Sequence, residues 1–499
     1  MESAPAYSLP DDDACYAAVK ARDTRFDGRF FTGVKTTGIY CRPICPARLP
    51  KRANCTFFPS AAAAESEGFR ACLRCRPEAA PGTPAAQGSA ATVTRALRLI
   101  GEGALDKGSV SELADRLGLS DRHVRRLFVN HLGANPENVA ATRRLLLANQ
   151  LLRDTALPIS EIAYAAGFAS LRRFNDAFAT RYEEPPSAVR KRIEKDMPDT
   201  AKARPADLPF DFKLRLGYRP PFDWQMILSY LQARLIPGVE TIAGSRYRRS
   251  IRHANGDAFI EAEPDATRNI LWVRVISDRP FQLADLVARM RRVFDLDADP
   301  AAISQHFQAD PLIGPLARAT PGLRIPGAFD GFELAVRAIL GQQVSVKGAT
   351  TLAGRLVSTY GTPVDRSPGP DWPTHLFPAP GAMTDNRLHE IGLPKARAAT
   401  LRSLAEAAAT GDIRLDPGSD MTETLARFRK IKGIGAWTAS YVALRALGDP
   451  DAFPHGDLGL QKAAAPGEGK LTAQELAARA EAWRPWRGYA ALHLWSGHS

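Results

Sequence analysis

The sequence predicts a multidomain chain, mainly α with an α+β part. Three observations carry that expectation. Two close cysteine pairs, Cys41/Cys45 and Cys72/Cys75, stand apart from most of the chain. A short helix, a glycine turn and a second helix with a basic face occur twice, from Val110 and from Ile159. Further on, an alternating run at Asn269–Val275 reads as a strand, and apolar helical stretches flank Lys432-Gly433-Ile434-Gly435. At 499 residues the chain has room for about three to five domains. Its 45% apolar and 24% charged content is ordinary for a globular protein. A formal charge of +12 fits an anionic partner, nucleic acid first and an anionic membrane surface second. No apolar run reaches the roughly 18–20 residues that span a bilayer; nucleic acid is the expected partner, and no membrane is. Asp11-Asp12-Asp13 is unlike a signal peptide. Free thiols in a metal pattern suit a reducing compartment, so the expected location is cytoplasmic.

The cysteines come first. Cys41-Arg-Pro-Ile-Cys45 and Cys72-Leu-Arg-Cys75 are joined by a 26-residue gap. That layout suits one tetrahedral zinc ion held by Cys41, Cys45, Cys72 and Cys75. Cys15 and Cys55 fall outside the pattern and read as small buried hydrophobes. The stretch Thr36-Thr37-Gly38-Ile39-Tyr40-Cys41-Arg42-Pro43, with Pro46-Ala47-Arg48 and Gly68-Phe69-Arg70-Ala71-Cys72, resembles the N-terminal domain of Ada-type DNA repair proteins. The resemblance implies a zinc-binding unit over residues 1–80 in which Cys41 accepts a methyl group from a methylated DNA phosphate. The chemistry is coherent: a thiolate is the nucleophile, and a methyl phosphotriester carries no charge to repel it. The product is a thioether, so each molecule acts once. Arg42 and Arg48, with Lys51, Arg52 and Arg74, are expected to clamp neighbouring phosphates.

Two linkers are expected at 77–91 and 194–207, both rich in Pro, Ala or charge. Between them, Val110–Ser120 forms an amphipathic helix, a glycine turn and a serine cap. The following helix, Asp121 to about Leu132, carries Arg122, His123, Arg125 and Arg126 on its polar face. Ile159–Phe168 repeats the plan, and the helix beginning near Ser170 includes Arg172, Arg173 and Asn175. Gly167-Phe168…Arg173-Phe174-Asn175-Asp176-Ala177-Phe178 resembles the C-terminal repeat of AraC-type DNA-binding domains. That resemblance implies a tandem helix-turn-helix over 92–192, each second helix reading a major groove.

From about 208 the sequence resembles a DNA 3-methyladenine glycosylase of the AlkA type. Tyr218–Trp224, Pro237–Thr241, Ala338–Ser345 and Trp483–Ala490 carry the likeness, with the stretch 428–448. It implies a β-rich AlkA N-terminal-like domain at 208–320 and a helix-hairpin-helix glycosylase domain at 321–499. Gly433 and Gly435 let the hairpin turn tightly and turn amide N–H groups toward a DNA phosphate. Asp457 is the implied catalytic carboxylate, stabilising oxocarbenium-like charge as the sugar–base bond breaks. As a residue before a helix, it also suits an N-cap. Trp437, Tyr441 and Trp495 match the family's base-stacking aromatics. Gln342 and Gln343 stand where a side chain fills the space left by the flipped base; at Gln343 the family usually has an apolar residue.

Relatives that also cut the strand place a lysine where this chain has Trp437, which implies a monofunctional enzyme. No cysteine follows Cys75, so no iron–sulfur cluster is expected. The Pro-Cys-His-Arg motif of O6-methylguanine methyltransferases is absent. Together these features read as an alkylation-repair protein and regulator. Its expected partners are double-stranded DNA, both damaged and promoter, and RNA polymerase. The alternatives are a regulator whose glycosylase half only binds DNA, and a structural zinc unit that transfers no methyl group.

Overall fold

A computed structural model describes residues 9–77, 80–81, 89–155, 157–196, 210–253, 255–416, 421–465 and 469–496. Both expected linkers fall largely outside these residues. The N-terminal unit is built on a four-stranded sheet, in the order Cys55–Phe58, Phe31–Val34, Ile39–Cys41, Arg70–Ala71. The last two strands are parallel, with Tyr40 opposite Ala71. The Cys72 N–H donates to the Tyr40 carbonyl at 3.0 Å. A parallel pair carries both cysteine loops off the same end of the sheet, which is why two distant sequence motifs meet.

The helical region follows the duplicated pattern closely. Ser109 and Glu112 form a capping box ahead of Val110–Leu117. Gly118 at φ 70° makes the turn, and Ser120 caps Asp121–Leu132. The repeat is Ile159–Ala165, Gly167 at φ 92°, then Ser170 capping Leu171–Tyr182. The 19-residue helix Pro136–Asp154 joins the two halves. The first half has its own apolar core around Leu113, Val124 and Phe128. The second half shares one core with the zinc-type sheet and with the next domain's sheet.

That next sheet is five-stranded and antiparallel, in the order Phe210–Gly217, Ile270–Ser277, Gly256–Asp265, Arg246–His253, Glu240–Ala243. The alternating run seen in the sequence is its second strand. The helices Pro300–Phe307 and Ile313–Ala319 pack into one core with residues 443–494. A second helical lobe is centred on Gly331–Leu340, Val346–Tyr360 and Lys395–Thr410. The chain crosses between the lobes through Ala436–Arg445, which leaves a cleft beside that helix. Among the described residues no helix is long and apolar enough to cross a membrane.

Candidate active site and nucleic-acid interfaces

The cleft has a volume of about 1020 Å³, and Trp437, Tyr441, Asp457 and Trp495 all line it. Asp457 stands at the N-terminus of Leu458–Ala463, where one oxygen accepts from the Leu460 N–H at 2.9 Å. Asp457 thus caps this helix while lining the cleft. The same oxygen accepts from the Trp495 indole N–H at 3.1 Å, and the other from the Trp437 indole at 2.8 Å. Three donors fix the orientation of the carboxylate. The carboxylate remains half-buried, facing the cleft. A side chain on Gly459 would crowd the carboxylate at 3.0 Å. Trp437 and Trp495 therefore orient the carboxylate as well as presenting ring faces, a role the sequence did not suggest. Trp437 stacks on Tyr441, with centroids 5.2 Å apart and planes 9° from parallel.

Two cleft residues escaped sequence reasoning. Tyr230, from the helix Trp224–Gln232, lies 3.1 Å from the Tyr441 hydroxyl. Arg445 is buried and donates to both phenol oxygens, to Tyr230 at 2.6 Å. For Arg445 a signal existed: Trp437, Tyr441 and Arg445 recur at helical spacing on one face. Tyr230 had none, because it arrives from another domain.

The hairpin joins Met421–Lys430 to Ala436–Arg445. Gly433 has φ 97°, and a Cβ there would overlap the Thr400 hydroxyl. Gly435 has extended backbone and open space at its Cβ position. Only Gly433 is needed for the turn; Gly435 keeps the hairpin surface bare beside the first helical N–H groups. Gln342 and Gln343 separate in role. The Gln342 amide donates to the Gly433 carbonyl at 3.1 Å and to the Thr438 hydroxyl at 3.3 Å, tying this loop to the hairpin. Gln343, at φ 56°, is exposed at the loop tip next to exposed Val344.

The four cysteine sulfurs of Cys41, Cys45, Cys72 and Cys75 lie within 4.8 Å of one another, and those of Cys45 and Cys72 are 3.9 Å apart. A tetrahedron with ~2.3 Å metal–sulfur bonds has edges of about 3.8 Å, so the donor set fits one zinc ion. Cys72 and Cys75 are buried, whereas Cys41 and Cys45 are half-buried. Arg42 departs from the expected phosphate clamp. Its side chain is buried, paired with Asp27 (2.8 Å from Nε) and bonded to the Cys75 carbonyl at 3.0 Å. Its backbone N–H donates to the Cys75 sulfur at 3.4 Å. Those partners tie the guanidinium into the cysteine loop. Arg48, Lys51 and Arg74 are exposed.

On the first helix-turn-helix, Arg122 and Arg126 are exposed and His123 is half-buried. Arg125 is turned to Asp121 and Glu137, each at 2.6 Å, so its charge is already paired within the helical unit. On the second, Arg172, Arg173 and Asn175 are exposed, together with Leu171.

Comparisons with known proteins agree with this architecture. Residues 14–78 match the metal binding domain of Ada, 113–192 a helix-turn-helix domain, and 213–330 the AlkA N-terminal domain. The C-terminal half is 21% identical to a 3-methyladenine DNA glycosylase structure from Archaeoglobus fulgidus, with a TM-score of 0.50, covering 56% of this chain and 97% of that one. This likeness concerns the fold. The DNA-3-methyladenine glycosylase 2 of Escherichia coli is 37% identical over 56% of this chain and 95% of its own length. A Mycobacterium tuberculosis protein described as a probable bifunctional transcriptional activator/DNA repair enzyme AlkA is 41% identical over 97% of this chain and 96% of its own. With the cysteine cluster, the tandem helix-turn-helix and the cleft on one chain, this protein belongs to that family of AlkA-type enzymes carrying an Ada-type N-terminal half.

Proposed function

We propose that the protein is an alkylation-repair enzyme and transcriptional regulator of DNA, excising 3-methyladenine and related bases and taking a methyl group onto Cys41. The observation that carries the glycosylase reading is Asp457, an oriented carboxylate at the mouth of an aromatic cleft beside a bare hairpin. A damaged nucleotide flips into the cleft. The aromatic rings hold the base, and Asp457 stabilises positive charge on the sugar as the bond to the base breaks. Water then adds to the sugar carbon, leaving an abasic site. Residue 437 is Trp, so that position offers no amine for a Schiff base, and the enzyme is monofunctional.

At the other end of the chain, zinc held by the four cysteines keeps their sulfurs as thiolates at neutral pH. The half-buried Cys41 sulfur bonds to the methyl carbon as the methyl–oxygen bond of a phosphotriester breaks. The oxygen keeps the electron pair, and the phosphate regains its charge. The thioether is not hydrolysed, so transfer is single-turnover. Loss of negative charge facing DNA raises affinity and lets the helix-turn-helix region recruit RNA polymerase.

The test is release of free bases from dimethyl-sulfate-treated duplex DNA by the wild type, Asp457→Asn and Cys41→Ser. Release of 3-methyladenine is expected from wild type and Cys41→Ser, with a loss of at least about a hundredfold in Asp457→Asn. No release by a folded, zinc-loaded wild type would leave the C-terminal half as a DNA-binding module of a regulator.

A further inference from the structure

The second helices of the two helix-turn-helix units differ in what they leave exposed. On Asp121–Leu132, the first residue, Asp121, pairs with Arg125 at 2.6 Å. Arg122 and Arg126 are exposed one turn apart on one face, with no side-chain partner among the described residues. On Leu171–Tyr182, the first residue is instead apolar, and Leu171 is 43% exposed. Asn175 follows one turn on along the same face, also exposed and with its amide unbonded among the described residues. Arg172 meets Asp176 only at 3.9 Å, with both side chains largely in solvent.

Leu171 has no visible task in the fold. Ser170 supplies the helix cap, accepting from the Arg173 N–H at 3.3 Å. Phe174 and Phe178 carry the packing of this helix and are fully buried. The N-terminal end of such a helix is the end that meets base edges in the major groove, and thymine is the base that shows a methyl group there. Exposed Arg172 and Arg173 beside Leu171 supply the positive charge that a phosphate backbone attracts. Val129, the exposed apolar residue of the first unit's second helix, lies seven residues beyond Arg122. That is about 10 Å further along the axis, away from the end that enters the groove.

We propose that Leu171 determines sequence specificity: its side chain packs on the methyl group of a thymine in the promoter site, and the Asn175 amide pairs with an adenine at most two base pairs away. This rests on the reading of 92–192 as a promoter-binding tandem helix-turn-helix. Asn175 would donate to N7 and accept from the N6 amino group, the pairing an amide makes with adenine. Four helical residues rise about 6 Å, against about 3.4 Å per base pair, which sets the spacing. The second unit thus selects A·T pairs, whereas Arg122 and Arg126 of the first suit the O6 and N7 acceptors of guanine.

The experiment uses the full-length, zinc-loaded protein, repurified after reaction with dimethyl-sulfate-treated DNA. A preferred duplex is selected from a random-sequence pool by the wild type. Each of its thymines is then replaced in turn by uracil, which lacks only the methyl group. Affinity at fixed salt is compared for wild type, Leu171→Ala, Leu171→Met, Val129→Ala and Asn175→Ala. At one thymine, uracil is expected to weaken wild type, Leu171→Met and Val129→Ala about fourfold, the scale of one buried methyl group, and Leu171→Ala not at all. Asn175→Ala keeps that sensitivity and loses the preference for adenine within two pairs. Tolerance of uracil at every position by the wild type would overturn the proposal. So would a Leu171→Ala protein as sensitive as wild type, because a merely structural leucine affects thymine and uracil duplexes alike. Selection of no preferred duplex would sink the underlying helix-turn-helix reading together with the proposal.

Discussion

Single residues in this protein carry more than one duty. Asp457 caps a helix and presents a carboxylate, and its two indole donors sit on helices from different lobes. Asparagine caps as well as aspartate does, so Asp457→Asn removes charge without removing the cap. His493 shows a different constraint. It is 4% exposed, meets the Thr320 hydroxyl at 3.0 Å, and burial pushes its pKa down to about 4. The unfolded chain takes up this proton near its ordinary value of 6.5, so the neutral buried ring contributes stability above that pH. The contribution is lost as pH falls toward 4 and amounts to about 3 kcal/mol over the window. Denaturant titrations of wild type and His493→Gln should show a smaller decline in the variant across that window. Parallel pH dependences would mean the ring is protonated in the fold.

At the scale of elements, the hairpin separates two uses of glycine. Gly433→Ala places a Cβ against Thr400 at a positive φ, and a loss of about 1–3 kcal/mol is expected, with weaker DNA binding following from a distorted turn. Gly435→Ala meets nothing in the protein. Its melting temperature should hold within about 2 °C, while affinity for undamaged duplex falls, because the new methyl lies where a phosphate would meet the helix N-terminus. Equal affinity of Gly435→Ala and wild type for duplex DNA would remove the hairpin from the interface. The helix starts themselves were legible: Ser109, Ser120 and Ser170 all cap the helices that follow them. Capping is local chemistry, settled within three residues. What escaped was Arg125, whose second partner, Glu137, sits on the next helix.

Across the whole molecule, the modules are joined through buried polar contacts. Glu65, 3% exposed in the zinc-type unit, accepts from Tyr40 at 3.0 Å and from Thr142 at 2.6 Å, and its carbonyl accepts from Arg181 at 2.8 Å. Tyr40 is the residue before Cys41; Thr142 and Arg181 belong to the tandem helix-turn-helix. Arg76 pairs with Asp154 at 2.8 Å across the same junction. Arg98 donates to the Leu447 carbonyl at 2.9 Å, docking the helical region on the glycosylase lobes. Glu65→Ala takes the acceptor from the buried Tyr40 and Thr142 hydroxyls, and a loss of about 3 kcal/mol is expected. Hydrogen exchange should then quicken in Ile39–Cys41 and in Pro136–Asp154 together. Faster exchange confined to the strand would show that the two units are stabilised independently.

The sequence by itself determined the classes of structure and the reactive side chains. Cysteine spacing, serine caps, the glycine turns and the hairpin motif are short-range signals, each read within a few residues. Resemblance singled out Asp457, Trp437, Tyr441 and Trp495, which the fold brings to one cleft. Tertiary structure alone decided how those groups are used. It turned Arg42 inward to Asp27, tied Gln342 to the hairpin, set the indoles on the carboxylate and delivered Tyr230 to Tyr441. It also merged the second helix-turn-helix with two neighbouring sheets in a single core. The physical reason is the same in each case: a buried charge or apolar face takes whatever partner the packing brings within a few ångströms. Those partners come from distant segments that no local pattern records.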